Sequence, residues 1–362
     1  MISVRHGPPR EPIALAPRSF QVSSRTPASA RPVLAAVTML AALLLGACTS
    51  GSVAPTATKS SKASTPSTSP TTDGDSYTTV AGGPKPPAAG AWLGAWVKPA
   101  PNAPSRTAAV AAFEQAIGRP LDIVHVYHPW ADAFPTASDI QFTQQGKILM
   151  ISWASTDVAG IVSGSADRQI TARAAALKSL GTPVLLRWRW EMNRKNLAAA
   201  VGSPAQYVAA WKHIRSIFTT VGTTNVGWVW CPIAADFNAT NGAAYYPGDD
   251  QVDWLCTDVY PGPTKASFAS VAAQFMTWAA QHHKPIIIGE FGVEASNPAQ
   301  TQWITGAYTY ALQSPQIKAM VYFDADRVEK GVTRDFRVQG TTGPLQAFQQ
   351  MATNPYFNQP KS

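Results

Sequence analysis

Short runs of apolar and β-branched residues recur along the chain from residue 92 onward, and most stretches between them carry apolar residues at helical spacing. The runs predict strands, and the spacing between them predicts helices over residues 106–118, 166–181, 203–222 and 267–283. The eight predicted strands are WLGAWV (92–97), IVHVYH (123–128), ILMISW (148–153), VLLRWRW (184–190), VGWVWC (226–231), VDWLCTDVY (252–260), IIIGEF (286–291) and AMVYFD (319–324).

Strand–helix alternation, repeated eight times in about 270 residues, is typical of an α/β fold of the (β/α)8 or TIM-barrel type. The alternative is an open, doubly wound sheet, but no glycine-rich phosphate loop follows the first strand. We therefore predict a TIM barrel over residues 91–362.

The first 90 residues follow a different pattern. Residues 33–47 form an apolar run that is short for a bilayer span and follows five arginines, which predicts a signal peptide over residues 1–47. The run ends in Leu45-Gly46-Ala47-Cys48, which resembles a bacterial lipobox with lipidation at Cys48. The alternative is an ordinary secretory signal with an incidental cysteine. Residues 48–90 are rich in Ser, Thr and Pro without a period, which predicts a disordered linker.

This arrangement predicts a protein on the extracellular face of a bacterial cell membrane, anchored to it through the lipid on Cys48, or else secreted. Residues 1–90 contain eight Lys and Arg against three Asp and Glu, whereas residues 91–362 contain 21 against 18. The formal net charge of +8 therefore arises largely before the predicted barrel, and a nucleic-acid partner is not expected.

The sequence contains no phosphate loop, no Cys/His zinc pattern and no nucleophilic serine elbow, so neither a cofactor nor a metal is expected. We expect a monomer. Cys231 and Cys256 lie at the end of the fifth predicted strand and within the sixth, where they either form a disulfide or remain buried thiols.

The carboxyl ends of the predicted strands carry acidic and aromatic residues, and in a TIM barrel the active site lies at these ends. Aromatic rings stack on sugar faces while carboxylates perform the chemistry, so the pattern indicates a polysaccharide-binding cleft. The residues collected there are His128, Trp130, Trp153, Glu191, Asn193, Trp230, Asp258, Tyr260, Glu290 and Asp324.

Glu191 and Glu290 close the fourth and seventh predicted strands, as expected for the acid and the nucleophile of a retaining glycoside hydrolase. Either glutamate alone is equally explained as a loop residue or a salt-bridge partner. The tryptophans around Glu191 fit a desolvated acid, and the tight surroundings of Glu290 fit an ionised carboxylate. Arg187 and Arg189 are expected on the strand face of Glu191, where an arginine can hold the nucleophile ionised, with Asp258 as a partner.

The motifs of the fourth to seventh strands resemble glycoside hydrolase family 26, the β-mannanase family, in an actinobacterial lipoprotein form. They are Arg187…Glu191-Met192-Asn193, Tyr245-Tyr246-Pro247-Gly248-Asp249, Val252-Asp253-Trp254…Asp258…Tyr260 and Lys284-Pro285…Gly289-Glu290-Phe291-Gly292. The resemblance implies that Glu191 is the acid/base, that Glu290 is the nucleophile, and that Tyr260 hydrogen-bonds Glu290.

The predicted activity is endo-acting, retaining hydrolysis of a β-1,4-mannan-like polysaccharide by double displacement. Two departures from the family leave the polymer open, with other β-glucans and β-1,3-xylan as alternatives. Trp190 stands where the family usually has histidine, and RKNLAAAVG (194–202) stands where a tryptophan is usual. Trp190 also keeps open a non-catalytic carbohydrate-binding lipoprotein. The predicted substrate contacts are Arg187, Trp190, Asn193, Tyr260, Trp153, Trp230 and His128.

Overall fold

The computed structural model describes Tyr77 and residues 82–262, 265–329 and 331–359, all within a compact unit of residues 70–362. The predicted signal peptide, Cys48 and most of the predicted linker lie outside the described residues. Among the helices of the described part, none has the length and apolar character needed to cross a bilayer.

Eight parallel strands form a closed barrel in chain order, with β8 hydrogen-bonded to β1, and this confirms the predicted TIM-barrel fold. The strands are β1 (Trp92–Val97), β2 (Ile123–His128), β3 (Ile148–Trp153), β4 (Val184–Trp188), β5 (Val226–Trp230), β6 (Trp254–Val259), β7 (Ile286–Phe291) and β8 (Ile317–Asp324). After β8 the chain forms an antiparallel hairpin that the sequence pattern did not indicate, made of β9 (Asp326–Glu329) and β10 (Val332–Asp335).

Helices follow the strands around the outside of the barrel. They are α1 (Arg106–Ile117), α2 (Ala137–Gln144), α3 (Val158–Val162), α4 (Asp167–Leu180), α5 (Ala198–Val201), α6 (Pro204–Val221), α7 (Phe268–Ala279), α8 (Gln300–Leu312) and α9 (Thr342–Thr353). The start of α6 shows why the sequence folds locally in this way. Ser203 and Gln206 form a reciprocal capping box, Pro204 occupies the first turn, and Gly222 ends the helix with a φ of 75°.

Alternate residues of each strand face two different cores. The residues of one parity pack against the helices in a large outer core, and those of the other parity fill the barrel interior. On β4, for example, Leu186 and Trp188 belong to the outer core while Leu185 belongs to the interior. Further toward the carboxyl ends of the strands, the interior becomes polar, with buried His125, Ser152, Arg187 and Asp258.

Residues 82–90 close the amino-terminal end of the barrel. The indole Nε1 of Trp254, inside the barrel, donates to the carbonyl oxygen of Pro84 at 3.2 Å. Gly83 packs against the backbone of Gly227, the second residue of β5, and leaves no room there for a side chain on residue 83. The predicted boundary between linker and barrel at residue 90 is therefore too late, because this segment supplies part of the barrel core.

The packing of Gly83 against the amino-terminal end of the barrel leads to a prediction about stability. A Cβ at Gly83 would lie 2.2 Å from the backbone nitrogen of Gly227, so Gly83→Ala requires a backbone shift. We expect a loss of about 1–3 kcal/mol in the free energy of unfolding, measured by urea denaturation. The control is Gly306→Ala, because Gly306 lies on the exposed side of α8 with open space around its Cβ position. That variant should be neutral or slightly more stable. Equal stability of the two variants would contradict the packing role of Gly83.

Candidate active site

Arg187 of β4 is the centre of the polar network inside the barrel, and its side chain is fully buried. Its Nη1 lies 2.7 Å from Asp258 Oδ1, and its Nη2 donates to Glu290 Oε1. Its Nε donates to Ser152 Oγ at 2.7 Å, and Ser152 Oγ lies 2.6 Å from His125 Nε2. Burial alone would lower the pKa of Arg187, but the Asp258 and Glu290 carboxylates raise it, so the guanidinium stays charged.

Glu290 is held by three donors. Besides Arg187, the hydroxyl of Tyr127 donates to Oε1, and the hydroxyl of Tyr260 donates to Oε2 at 2.7 Å. Burial raises the pKa of both tyrosines well above the ordinary value, and the Glu290 charge raises it further, so both hydroxyls remain donors. The predicted contacts of Arg187 and Tyr260 with Glu290 are thus confirmed.

A bulge in β7 turns Glu290 toward these donors. Thr257 is the register partner of Ile288, but the next residue, Asp258, is the partner of Glu290, so Gly289 has no partner across the pair. Only glycine fits at that position, since a Cβ would lie 2.2 Å from Cys256 Sγ and 3.0 Å from Cys231 Sγ. Gly289 therefore provides both the bulge and the space beneath the carboxylate.

Glu191 follows a tight turn beyond β4. Arg189 and Glu191 have left-handed φ angles of 47° and 54°, which are costly for residues other than glycine and cluster at functional sites. The backbone N–H of Glu191 donates to the carbonyl of Cys231 at 2.7 Å, and its Oε2 accepts from Arg194 Nη1 at 2.7 Å. Burial raises the pKa of Glu191, and the Glu290 charge raises it further, whereas Arg194 and Arg187 oppose the rise.

Both glutamates line one cleft of about 460 Å³ at the carboxyl ends of the strands. Trp190 forms part of its wall, with its ring 5.2 Å from the Tyr127 ring and 5.2 Å from the Arg187 guanidinium. Trp190 lies on the cleft wall, where the predicted substrate contact stays a prediction. The cleft thus combines two carboxyl groups in different electrostatic surroundings with aromatic faces, as hydrolysis of a sugar polymer requires.

Three predicted substrate contacts are wrong because their side chains belong to the outer core. His128 Nε2 lies 2.9 Å from Asp139 of α2, and the Trp153 ring stacks on Trp130 at 4.3 Å. Trp230 is fully buried and donates from Nε1 to the carbonyl of Tyr245 at 3.0 Å. The alternation of side chains along a strand explains all three corrections. Each of these residues occupies a strand position whose side chain points outward, toward the helices.

Asn193 and Arg189 also differ from their predicted positions. The amide of Asn193 donates to the carbonyl of Ile233 at 3.1 Å and to Thr240 Oγ1 at 2.9 Å, and it accepts from Ile233 N at 2.9 Å. Asn193 therefore joins two loops instead of contacting substrate. Arg189 interacts electrostatically with Glu191, as expected, but also with Tyr207 of the outer core, because β4 ends at Trp188 and the turn interrupts the alternation of faces.

Sequence reasoning missed Tyr127 and left the state of the cysteines open. Tyr127 lies two residues after His125 on β2, so alternation along IVHVYH would have placed it on the interior face. Cys231 and Cys256 form a disulfide inside the barrel, where Cys231 Sγ lies 3.5 Å from Arg187 Nη1. Pairing of β5 with β6 brings the two cysteines together.

Fold and site together define a TIM barrel with one glutamate just after β4 and another at the carboxyl end of β7. Comparison with known proteins specifies the family: the chain belongs to glycosyl hydrolase family 26, whose family model matches residues 124–310. The matched region includes Tyr127, Arg187, Glu191, Tyr260 and Glu290.

Individual relatives agree with this membership. Endoglucanase H of Acetivibrio thermocellus is 32% identical over 281 residues, which cover 71% of this chain and 30% of the relative. Beta-1,3-xylanase TXYA of a Vibrio species is 24% identical over 241 residues, 56% of this chain and 50% of the relative. The chain thus spans half or less of the length of these curated relatives. A family 26 β-mannanase structure from Bacteroides ovatus shares the fold, with 16% identity, a TM-score of 0.53, and coverage of 74% of this chain and 89% of that one.

The contact between Arg194 and Glu191 leads to a prediction about proton affinity. Arg194 holds down the pKa of Glu191 against burial and the Glu290 charge, so Arg194→Gln should raise the pKa of the Glu191 carboxyl. Carbon-13 NMR titration of the glutamate side chains measures this, with the Glu191 signal assigned by its loss in Glu191→Gln. Arg168→Gln, at an exposed position on α4, is the control and should leave the titration unchanged. An unchanged or lower pKa in Arg194→Gln would contradict the interaction.

Proposed function

We propose that this protein hydrolyses internal β-glycosidic bonds of a polysaccharide with retention of configuration, with Glu290 as nucleophile and Glu191 as acid/base. The observation that carries the proposal is the contrast between the two glutamates of one cleft. Three donors hold Glu290, including a charged arginine, whereas burial and a neighbouring charge raise the pKa of Glu191. A nucleophile must be ionised and an acid must hold its proton, so the contrast matches the two roles.

In the first step, Glu290 attacks the anomeric carbon while Glu191 transfers its proton to the leaving oxygen, which leaves a glycosyl-enzyme ester. Glu191, now ionised, accepts a proton from water, and that water displaces Glu290 from the sugar. The donors on Glu290 keep it oriented between these steps. The charge on Arg187 also stabilises Glu290 when it leaves as a carboxylate.

The proposed substrate is a β-1,4-mannan-like polymer, with other β-glucans and β-1,3-xylan as alternatives. Family membership and the named β-mannanase structure support mannan, while the two curated relatives carry endoglucanase and β-1,3-xylanase names. Trp190 bears on this choice, because it places an indole beside Tyr127 in the cleft. An indole at this position changes the sugar contact without altering the three donors to Glu290.

Substitution of the two glutamates tests the assignment. Glu290→Ala in the full chain should lower turnover of β-mannan, β-glucan or β-1,3-xylan by on the order of 10⁴-fold or more. Glu191→Ala should lower turnover of the polymer by roughly 10²–10⁴-fold but spare aryl glycosides with activated leaving groups. With an aryl glycoside and azide, Glu290→Ala should yield a glycosyl azide of inverted configuration, and Glu191→Ala one of retained configuration.

The matched control is Glu114→Gln on α1, outside the cleft, which should keep turnover because glutamine can still accept from the backbone N–H of Leu121. Normal turnover in Glu290→Ala would refute the assignment of Glu290 as the nucleophile. If the wild-type protein binds a polymer without cleaving it, the alternative of a non-catalytic carbohydrate-binding lipoprotein is favoured instead.

We also propose that the protein is attached to the extracellular face of a bacterial membrane through a lipid on Cys48. The support is the sequence alone: an apolar run over residues 33–47 that ends in Leu-Gly-Ala-Cys. In a bacterial host, the full chain should incorporate labelled palmitate and fractionate with membranes. Cys48→Ala should lose the label, whereas Cys231→Ala should keep it. Label retained by Cys48→Ala would contradict the anchor.

A further inference from the structure

One wall of the cleft is formed by the hairpin β9–β10, and its charges are not explained by the proposed reaction. In the hairpin, Arg327 lies opposite Arg334, and Glu329 lies opposite Val332. These two cross-strand pairs alternate with the remaining two pairs of the hairpin, so their side chains share one face. Arg327, Glu329 and Arg334 line the same cleft as Glu191 and Glu290. An adjoining recess of about 250 Å³ is lined by the same two arginines and by Lys265.

The two arginines of this wall share one carboxylate. Glu329 Oε2 lies 3.4 Å from Arg327 Nη2 and 3.2 Å from Arg334 Nε, so two guanidinium groups share one carboxylate. Arg334 Nη1 also lies 2.5 Å from Glu294 Oε1, whereas Glu329 is the one acidic residue of the described part within ion-pair distance of Arg327. Lys265 is a further cation, in the lining of the adjoining recess. Arg194, across the cleft, also interacts with the Glu329 charge.

Arg327 leaves donor capacity of its guanidinium group unused. It has five N–H donors, and its Nε is buried without a hydrogen-bond acceptor among the described residues. The guanidinium carbon lies 5.5 Å from the centre of the Phe336 ring, within range of a cation–π contact. A planar guanidinium group is suited to a carboxylate, which it can bind through two parallel hydrogen bonds.

Arginine side chains can donate to the hydroxyl groups of neutral sugars, but a carboxylate matches both the charge and the fork geometry of a guanidinium group. We propose that the cleft takes a polysaccharide whose sugars carry carboxylate groups, and that Arg327 and Arg334 bind the carboxylate of a sugar near the cleaved bond. The proposal rests on the proposed function, since it names the substrate class of the same cleft. Glu329 shows that a carboxylate fits between the two guanidinium groups, and a sugar carboxylate would use the donors that Glu329 leaves free.

The experiment compares matched oligosaccharides that differ only in charge. Mannohexaose and cellohexaose are used in neutral form and after oxidation of their C6 hydroxyl groups to carboxylates. Binding to the full chain carrying Glu290→Ala is measured by calorimetry, so affinity is separated from turnover. We expect the oxidised form of at least one hexaose to bind about tenfold or more tightly than its neutral form, and we expect salt to weaken this preference. Adding Arg327→Gln and Arg334→Gln should reduce the preference to about one, whereas adding Arg168→Gln should preserve it.

The outcomes separate this inference from the proposed function. If the wild-type enzyme cleaves a neutral polymer and the oxidised forms bind no more tightly, the substrate class is wrong while the hydrolase assignment stands. If nothing is cleaved but an oxidised hexaose binds in an arginine-dependent manner, the carboxylate site stands while hydrolysis fails. A preference that survives loss of both arginines, or no binding by any hexaose, overturns the site.

Discussion

The candidate active site depends on one buried cation, the guanidinium of Arg187. It is the shared partner of Asp258 and Glu290 and leaves no exposed surface, so the two acids are neutralised inside the barrel and not by solvent. Taking one partner out of a buried ion pair generally costs about 3–5 kcal/mol, because the remaining charge stays buried without compensation. Burial raises the pKa of Asp258 well above its ordinary value, with Arg187 opposing the rise. The arginine is therefore needed by the fold as well as by the chemistry.

Two local irregularities of the backbone bring the glutamates to this cation. The bulge at Gly289 lets Glu290 reach Arg187, and the left-handed turn at Arg189 and Glu191 carries the second glutamate over the barrel. The Cys231–Cys256 disulfide lies beneath the bulge of β7. Only glycine fits at position 289, between the sulfur atoms and the Glu290 carboxylate. Regular strands would direct these side chains by simple alternation, so the irregularities give the site its two different electrostatic environments.

The same barrel explains which aromatic residues belong to the cleft. Trp153 and Trp230 lie near the carboxyl ends of strands, as do Tyr127 and Trp190, yet only the latter pair lines the cleft. Alternation along β2, β3 and β5 separates Tyr127 from Trp153 and Trp230, so this distinction could have been read from the sequence. The position of Trp190 could not, because it follows the end of β4, in the turn where alternation stops.

The sequence by itself determined the order of strands and helices, the barrel, the two glutamates and the contacts of Arg187 and Tyr260, since hydrophobic period and family motifs are local properties of the chain. It did not determine the hairpin β9–β10, the packing of residues 82–90 against Gly227, or the sharing of Asn193 between two loops. The hairpin is local in the chain, but its strands DRVE and VTRD carry no apolar run that would predict them. The other two features were decided by tertiary structure, because they join residues far apart in the chain. Their contacts depend on barrel closure and on backbone irregularities that no local pattern encodes.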